Sequence, residues 1–558
     1  MKRLLGLLIL LVALHPVVSL AGQNDLKSKA ERTDYKETSR YEDVMEFIGR
    51  LQQISDNVKV ESFGKTEEGR SLPLVVLSKP AITTPLEAHA SGKPIVFVMA
   101  NIHAGEVEGK EATQHLMRDA VTGPLAGLLD RIILLVAPIY NADGNERIAI
   151  TNRTAQNGPE GGVGTRENSK RLDLNRDFMK MDSAEARGLI QNVFNRWDPH
   201  VAMDLHTTNG SYHGYALTYS PPLNPNTDSR IISYAREKLL PEVTRTMKSK
   251  HDYRIYYYGN FFDPADPSVG FRDEQPKEPK GWATFDHRPR FGTNYIGLRN
   301  RLAILSEAYS YLDFRSRVDV TDKFVRTVLQ HIAQNATAIV SLIRDADRRS
   351  RDTGLTAGNE EGYGLGFEVK PSAKPVEIFV GSVTRTVDPK TNRPRLQATK
   401  ESRPVKMTEF GEFKTTRRIP MPAAYILRPD QKKIADTLLA HGIRVEVTRQ
   451  GETFDVERYT VKEMTKAQRP FQGHSEVKLK VEKGEAKESF PAGSFVVSLH
   501  QPAAALAFYL LEPESDDGLA TWNYFDEELE RGKKESSDQV FPVYRLKSPP
   551  KMQRELLR

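Results

Sequence analysis

The chain reads as an α/β protein built on a largely parallel sheet, followed by a separate C-terminal α/β or α+β domain. Two patterns predict the first part. Short apolar runs bounded by polar or turn residues mark strands covered on both faces, and helix-spaced segments alternate with them. A length of 558 residues predicts the second part, together with a change of texture after residue 349, because single cores rarely grow beyond ~250–300 residues.

At the N-terminus, "MKRLLGLLILLVALHPVVSLAGQ" has a basic start, an apolar core from Leu4 to Leu14 and small residues at Ser19 and Ala21, the parts of a secretory leader over residues 1–21. Its core is about half of the ~20 residues that span a bilayer, and Pro16 interrupts any extension of it. Export is therefore expected without stable membrane insertion once the leader is removed. Residues 22–38 read as a polar spacer. A domain over 39–349 begins with "YEDVMEFIGRLQQIS", whose Val44, Phe47, Ile48 and Leu51 recur at helical spacing. Strands are expected at "SLPLVVLS", "KPIVFVMAN", "RIILLVAPIY", "HVAMDLH" and "RLAILSEAY", with helices at "EGKEATQHLMRDA", "SAEARGLIQNVFNRW" and "DSRIISYAREKLLPEVTRTM". "VTDKFVRTVLQHIAQNATAIVSLIRDADRR" reads as one long amphipathic helix closing that domain. Residues 350–361 read as a linker. An accessory domain over 362–558 holds charged alternating segments and a strand–helix–strand pattern in "AAYILRPDQKKIADTLLAHGIRVEV".

Composition removes several functions. Net charge is +6, of which Lys2 and Arg3 lie in the leader, and no basic run is interleaved with aromatics. A nucleic-acid partner is therefore not expected. The chain has no cysteine, so no thiol can act as nucleophile, metal ligand or disulfide partner. A metal would have to be held by His, Asp and Glu.

Such residues stand where chemistry is expected. In an open α/β sheet, ligands bind outside the carboxyl ends of the strands. "PIVFVMAN" is followed by His103 and Glu106, "HVAMDL" by His206, and "LAILS" by Glu307. Two imidazoles and a carboxylate form the three-ligand set of a catalytic zinc site, one ion per chain, with a fourth position open for water. A carboxylate outside that set, here Glu307, suits a general base. Gly105 would give the backbone room to turn His103 and Glu106 inward. An H-x-x-E pair alone is a common accident, and His206 or Glu307 alone reads as an ordinary polar residue. The conjunction at strand ends carries the inference.

These residues resemble a known family. "GKTEEGRSLPLVVL", "NIHAGEVEGKEA", "NADGNER", "TRENSKRLDLNRDF", "DLHTTNG" and "AILSEAYSY" are similar, in content and order, to segments of the zinc carboxypeptidases, from about Tyr35 to about Asp347. The resemblance implies an α/β sandwich around a mixed eight-stranded sheet. It implies His103, Glu106 and His206 as zinc ligands and Glu307 as base. It also implies that Asn175 and Arg176 hold the substrate's terminal carboxylate, a task that suits a planar guanidinium. Arg166 would stabilise the oxyanion, and Asp173 would orient the first histidine ligand. The partner so implied is a peptide with a free C-terminal carboxylate.

Two features depart from the family pattern. A tyrosine that relatives often carry some twenty residues before the base falls near Phe285, and Tyr295 is the nearest replacement. The C-terminal domain does not read as the small β-sandwich of several relatives, because it contains helix-like pieces. Two other functions fit the same residues: an amidase or deacylase acting on cell-wall peptides or N-acyl amino acids, and a binding protein on a peptidase scaffold. The released residue would be chosen between Gly281 and Arg301, where cations could select acidic groups or be paired structurally.

Overall fold

A computed structural model describes residues 26–208, 210–263, 278–355, 362–387, 392, 394–535, 539–548, 550, 551 and 553–557. The expected leader and residues 356–361 of the expected linker lie outside that set.

Among the described residues, the first part of the chain carries ten strands: β1 (Val58–Lys65), β2 (Ser71–Leu77), β3 (Ile95–Ala100), β4 (Ile133–Ala137), β5 (Val201–Thr208), β6 (Leu217–Ser220), β7 (Ile255–Tyr257), β8 (Asn260–Phe262), β9 (Gly281–Ala283) and β10 (Leu302–Tyr309). Eight of them form one mixed sheet in the order β1-β2-β4-β3-β5-β10-β6-β7. The run β4-β3-β5-β10 is parallel, and the antiparallel pairs lie toward the edges. Strands β3, β4 and β5 are buried along their whole length, which is why they read as continuous apolar runs rather than alternating ones. Helices Tyr41–Ile54, Glu108–Thr122 and Phe314–Gln334 turn apolar faces to the core, the first through Val44, Phe47, Ile48 and Leu51 as its spacing predicts.

Two expectations need correction. The long closing helix is two helices, Phe314–Gln334 and Ala336–Leu355. Asn335 breaks it at φ −110°, ψ 22°, its side-chain amide turning back to donate to the His331 carbonyl at 2.9 Å. An asparagine that hydrogen-bonds its own helix in this way competes with helix continuation. The described part of the spacer, residues 26–38, is not a free connection but a packed strap. Ser28 caps a short helix, Lys29–Arg32, Leu26 and Ala30 are buried, and Glu31 pairs with Arg118 at 2.8 Å.

The second part is β-rich. The hairpin Val376–Val387/Pro394–Phe410 joins β9 in parallel, and β9 pairs with β8, so one four-stranded sheet draws on both parts of the chain. A further antiparallel sheet carries Val477–Phe490, Glu452–Lys466, Val543–Leu546, Ala424–Leu427, Phe495–Ser498, Glu446–Thr448 and Arg554–Leu556, in that order. Helices Lys432–Ala440 and Ala504–Leu511 accompany it, the latter wholly buried. Buried apolar side chains of both parts form one continuous cluster. Among the described residues no helix is long and apolar enough to cross a membrane.

Candidate active site

The loop after β3 is shaped by two residues. Asn101 adopts φ +66°, a left-handed conformation that asparagine tolerates better than most residues, and its side-chain amide donates to the carbonyls of Ala104 (3.2 Å) and Glu106 (3.3 Å). Gly105 is needed for space rather than for a special dihedral. A Cβ there would lie 2.5 Å from Arg153 Cγ and 2.8 Å from the Gly164 carbonyl oxygen.

The acids crowded behind β3 separate into one that faces a cavity and two that pin the fold. Glu111 accepts from the Thr38 hydroxyl (2.9 Å) and from the Ser39 amide (2.7 Å) and hydroxyl (2.8 Å), fixing the N-terminal strap. Glu108 accepts from Thr207 Oγ1 and pairs with buried Arg317. Glu106 alone turns to the sheet rim. There its Oε1 lies 3.0 Å from His103 Nδ1 and its Oε2 2.9 Å from His206 Nδ1.

His103, Glu106 and His206 therefore converge, with one ligand-capable atom of each within 4.8 Å of the others, and all three side chains are buried. The far nitrogens lie against carboxylates: His103 Nε2 lies 3.0 Å from Asp173 Oδ1, and His206 Nε2 lies 2.8 Å from Asp204 Oδ2. Asp173 fixes the His103 ring so that Nδ1 faces the shared point, as a metal-binding histidine requires, while His206 Nε2 has the Asn175 amide at 3.4 Å and Asp204 close by as a charge partner. The cluster attracts positive charge. Burial works against a charged His206 ring, yet Asp204 and Glu106 hold it well above the ordinary histidine value. This donor set fits zinc, with two imidazoles, one carboxylate and room for a fourth ligand.

Glu307 stands beside this cluster by sheet register, because β10 pairs with β5 in parallel and places Glu307 opposite His206. Burial pushes its carboxyl up to about 8; His206 opposes this, while Glu106 and Asp204 add to it. A bound dication would favour the carboxylate form. Glu307 lines a cavity of about 240 Å³ together with the three clustered residues, Arg166, Asn175 and Arg176.

The three polar groups opposite are held differently. Arg166 donates twice to Asp173 Oδ2, at 3.0 and 2.7 Å, and its side chain remains 33% exposed, so it still reaches the cavity. Asn175 is fixed through its Oδ1, which accepts from the Gly292 amide at 2.9 Å. Arg176 donates to the Asn175 carbonyl at 2.7 Å and lies 3.9 Å over the Phe291 ring. Among the described residues no carboxylate pairs with Arg176, and burial depresses its pKa. A desolvated guanidinium with unused donors is a ready partner for a carboxylate.

The structure brings every site residue expected from the sequence to this one cavity or, for Asp173, directly behind it. It also adds residues. Arg153 donates to Glu106 Oε1 at 2.6 Å, and nothing in its sequence surroundings signals this. Asp204 could have been found, since D-x-H on a strand puts both side chains on one face. Tyr295 does not serve the cavity; it is fully buried and its hydroxyl meets His441 Nδ1 at 2.9 Å. Phe285 and Tyr258 line the cavity instead. Burial, and then the charge of Glu307, push the Tyr258 phenol up to about 12, so it stays a neutral donor. The arginines between Gly281 and Arg301 have structural partners: Arg288 pairs with Asp286, Arg290 with Asp517 and Glu476, and Arg301 with Asp198 and Asp347, while Arg299 donates to the carbonyls of His441 and Phe194. The second part of the chain also touches the site. Gln472 Oε1 accepts from the Asp173 amide at 2.7 Å, across 299 positions of sequence.

Comparison with known proteins agrees with this chemistry. Residues 44–256 match the family model described as zinc carboxypeptidase. The chain is 23% identical over 501 residues to Carboxypeptidase 2 of Trichophyton equinum, covering 87% of this chain and 82% of that one. It is 31% identical over 138 residues to Carboxypeptidase Z of Mus musculus, covering 24% of this chain and 20% of that one. Among solved structures, a metallo-carboxypeptidase from Burkholderia cenocepacia aligns over 54% of this chain and 70% of its own, at 16% identity and a TM-score of 0.38.

Proposed function

We propose, for a zinc metallocarboxypeptidase whose residues 44–256 match the family model, that the enzyme is exported and releases C-terminal residues from peptides through Glu307. The observation that supports this most is the sharing of one cavity by a metal-competent trio and an arginine that has no carboxylate partner among the described residues. His103, Glu106 and His206 would hold the zinc ion, which when bound would supply a Lewis acid and acidify water. The chain does the rest. Arg176 and Asn175 grip the free carboxylate and set which bond lies at the centre. Glu307 takes the proton of the attacking water and returns it to the leaving amine. Arg166, kept in place by Asp173, donates to the developing oxyanion. Tyr258, close enough to feel the charge of Glu307, offers a further neutral hydroxyl to the substrate.

Export rests on the N-terminal pattern of residues 1–21. The division into a catalytic domain over 39–349 and an accessory domain over 362–558 rests on the change of texture between them. The test is mass spectrometry of a peptide library that includes amidated, N-acyl and muropeptide members, run with wild-type and Arg176→Ala protein. Single-residue trimming of free-carboxylate peptides is expected. Arg176→Ala should raise KM for those peptides and leave amidated ones unaffected. Equal processing of free and amidated ends would remove the carboxylate clamp, and hydrolysis confined to muropeptides or acyl amino acids would replace the peptidase reading with the amidase one.

A further inference from the structure

A second and larger groove adjoins the catalytic cavity, with a volume of about 860 Å³. Phe285 lines both spaces. On the near side its ring packs against Tyr258 and Phe291, at 5.5 and 5.3 Å. Beyond it the walls come from both parts of the chain, with Phe262 on β8 facing Val369, Phe410 and Phe413 from the β-rich part. These apolar side chains are not sealed in the core. Phe262, Phe285, Phe410 and Phe413 are partly exposed, and Val369 is 39% exposed. Accessible aromatics lining a concave surface are the usual walls of ligand-binding clefts. Most of the charges around the groove are already matched: Asp286 with Arg288, His287 with Asp516, and Glu476 with Arg290.

We propose that this groove binds the stretch of substrate immediately upstream of the scissile bond, with a preference for apolar and aromatic side chains. The inference rests on the carboxypeptidase reading of the neighbouring cavity. Sizes and continuity select this occupant. The catalytic cavity has room for about one residue, whereas 860 Å³ falls within the ~300–1,000 Å³ of clefts that take drug-sized ligands, enough for several residues of peptide. A peptide whose terminal carboxylate is on Arg176 has only upstream residues left to place, and Phe285 is where the two spaces join. Because the far wall belongs to the β-rich part, that part acts as a specificity element for the catalytic one.

The test compares a blocked dipeptide with blocked pentapeptides that share its C-terminal dipeptide and carry Phe or Asp at the upstream positions. For the wild type, kcat/KM of the Phe pentapeptide should exceed that of the dipeptide by at least about tenfold, while the Asp pentapeptide gains little. Val369→Asp, at an exposed position, should remove most of that gain, as should Phe413→Ala. Calorimetry on Glu307→Gln protein should show the same order of affinities without turnover. Equal rates for both lengths, or variants that change only which terminal residue is released, would overturn the groove alone. No cleavage at either length would overturn the groove and the carboxypeptidase reading together.

Discussion

Two buried ionic networks in this molecule differ in what they leave open. At the sheet rim, Glu106 meets two imidazole nitrogens whose other ends lie against Asp173 and Asp204. In the β-rich part, Arg545 pairs with Glu512 at 2.9 Å, and the hydroxyls of Tyr425 and Tyr459 donate to the two Glu512 oxygens at 2.6 and 2.9 Å. Arg545 also donates to Tyr459 at 2.7 Å and to the Pro420 carbonyl. Both networks are buried and both border cavities, of about 240 and 190 Å³. Burial and volume therefore do not tell them apart. Direction does. Around Glu512 donors face acceptors pairwise, whereas at the rim one ligand-capable atom from each of His103, Glu106 and His206 converges within 4.8 Å of the others, an arrangement suited to a shared cation. A closed network fixes a fold; an open one holds a ligand.

That contrast is open to measurement. The largest effect is expected at the rim: Glu307→Gln should lower kcat by roughly 10²–10⁴, with zinc content and thermal midpoint near those of the wild type. Near-normal turnover would take Glu307 out of the mechanism. The closed network should behave in the opposite way. Arg545→Met strands a buried carboxylate and should cost about 3–5 kcal/mol in denaturant unfolding, while kcat per folded molecule holds. Adding Glu512→Gln should recover much of that stability, and failure to recover it would mean that Arg545 matters through packing rather than charge.

Asp204→Asn sharpens the rim side of the comparison. It should weaken zinc affinity roughly 10–100-fold in chelator competition with little change in folding; unchanged affinity would reduce Asp204 to a bystander. The smallest effect belongs to the N-terminal strap. Burial opposes ionisation of Glu31, but His115 and then Arg118 bring it from 4.5 down to about 2. A carboxylate with a depressed folded pKa stabilises the fold above its unfolded value, and that stability is lost as pH falls toward the folded one. Between about pH 4.5 and 2 the wild type should therefore lose on the order of 1–2 kcal/mol that Glu31→Gln does not, after allowing for partial exposure. Parallel pH curves for the two proteins would show that the strap is not held by this ion pair.

Legibility followed the range of the interactions involved. The runs at residues 95–100, 201–208 and 302–309 gave away their strands because burial on both faces forces continuous apolar residues. Their polar successors His103, Glu106, His206 and Glu307 could be placed on one rim by topology alone. Asp173, Arg166, Asn175 and Arg176 were visible only through family resemblance, since a loop residue carries no periodic signal. Arg153, Tyr258 and Gln472 were visible by neither route. Arg153 reaches Glu106 across 47 positions and Gln472 reaches Asp173 across 299, and no local pattern encodes contacts of that span. The strap and the break at Asn335 were misread for a related reason: a few specific hydrogen bonds outweighed polar composition in one case and amphipathic spacing in the other.

Sequence alone determined the buried strands β3, β5 and β10, which acids and imidazoles stand at their ends, and that any metal must be bound without sulfur. Those are consequences of local periodicity and of the residue inventory. Only the tertiary structure decided that one of three neighbouring acids faces the cavity while two pin the fold, that Arg176 has no carboxylate partner among the described residues, and that the β-rich part walls the groove beyond Phe285. Such outcomes depend on which side chains meet after the sheet has closed, and a side chain's partner is fixed by geometry that its neighbours in sequence do not hold.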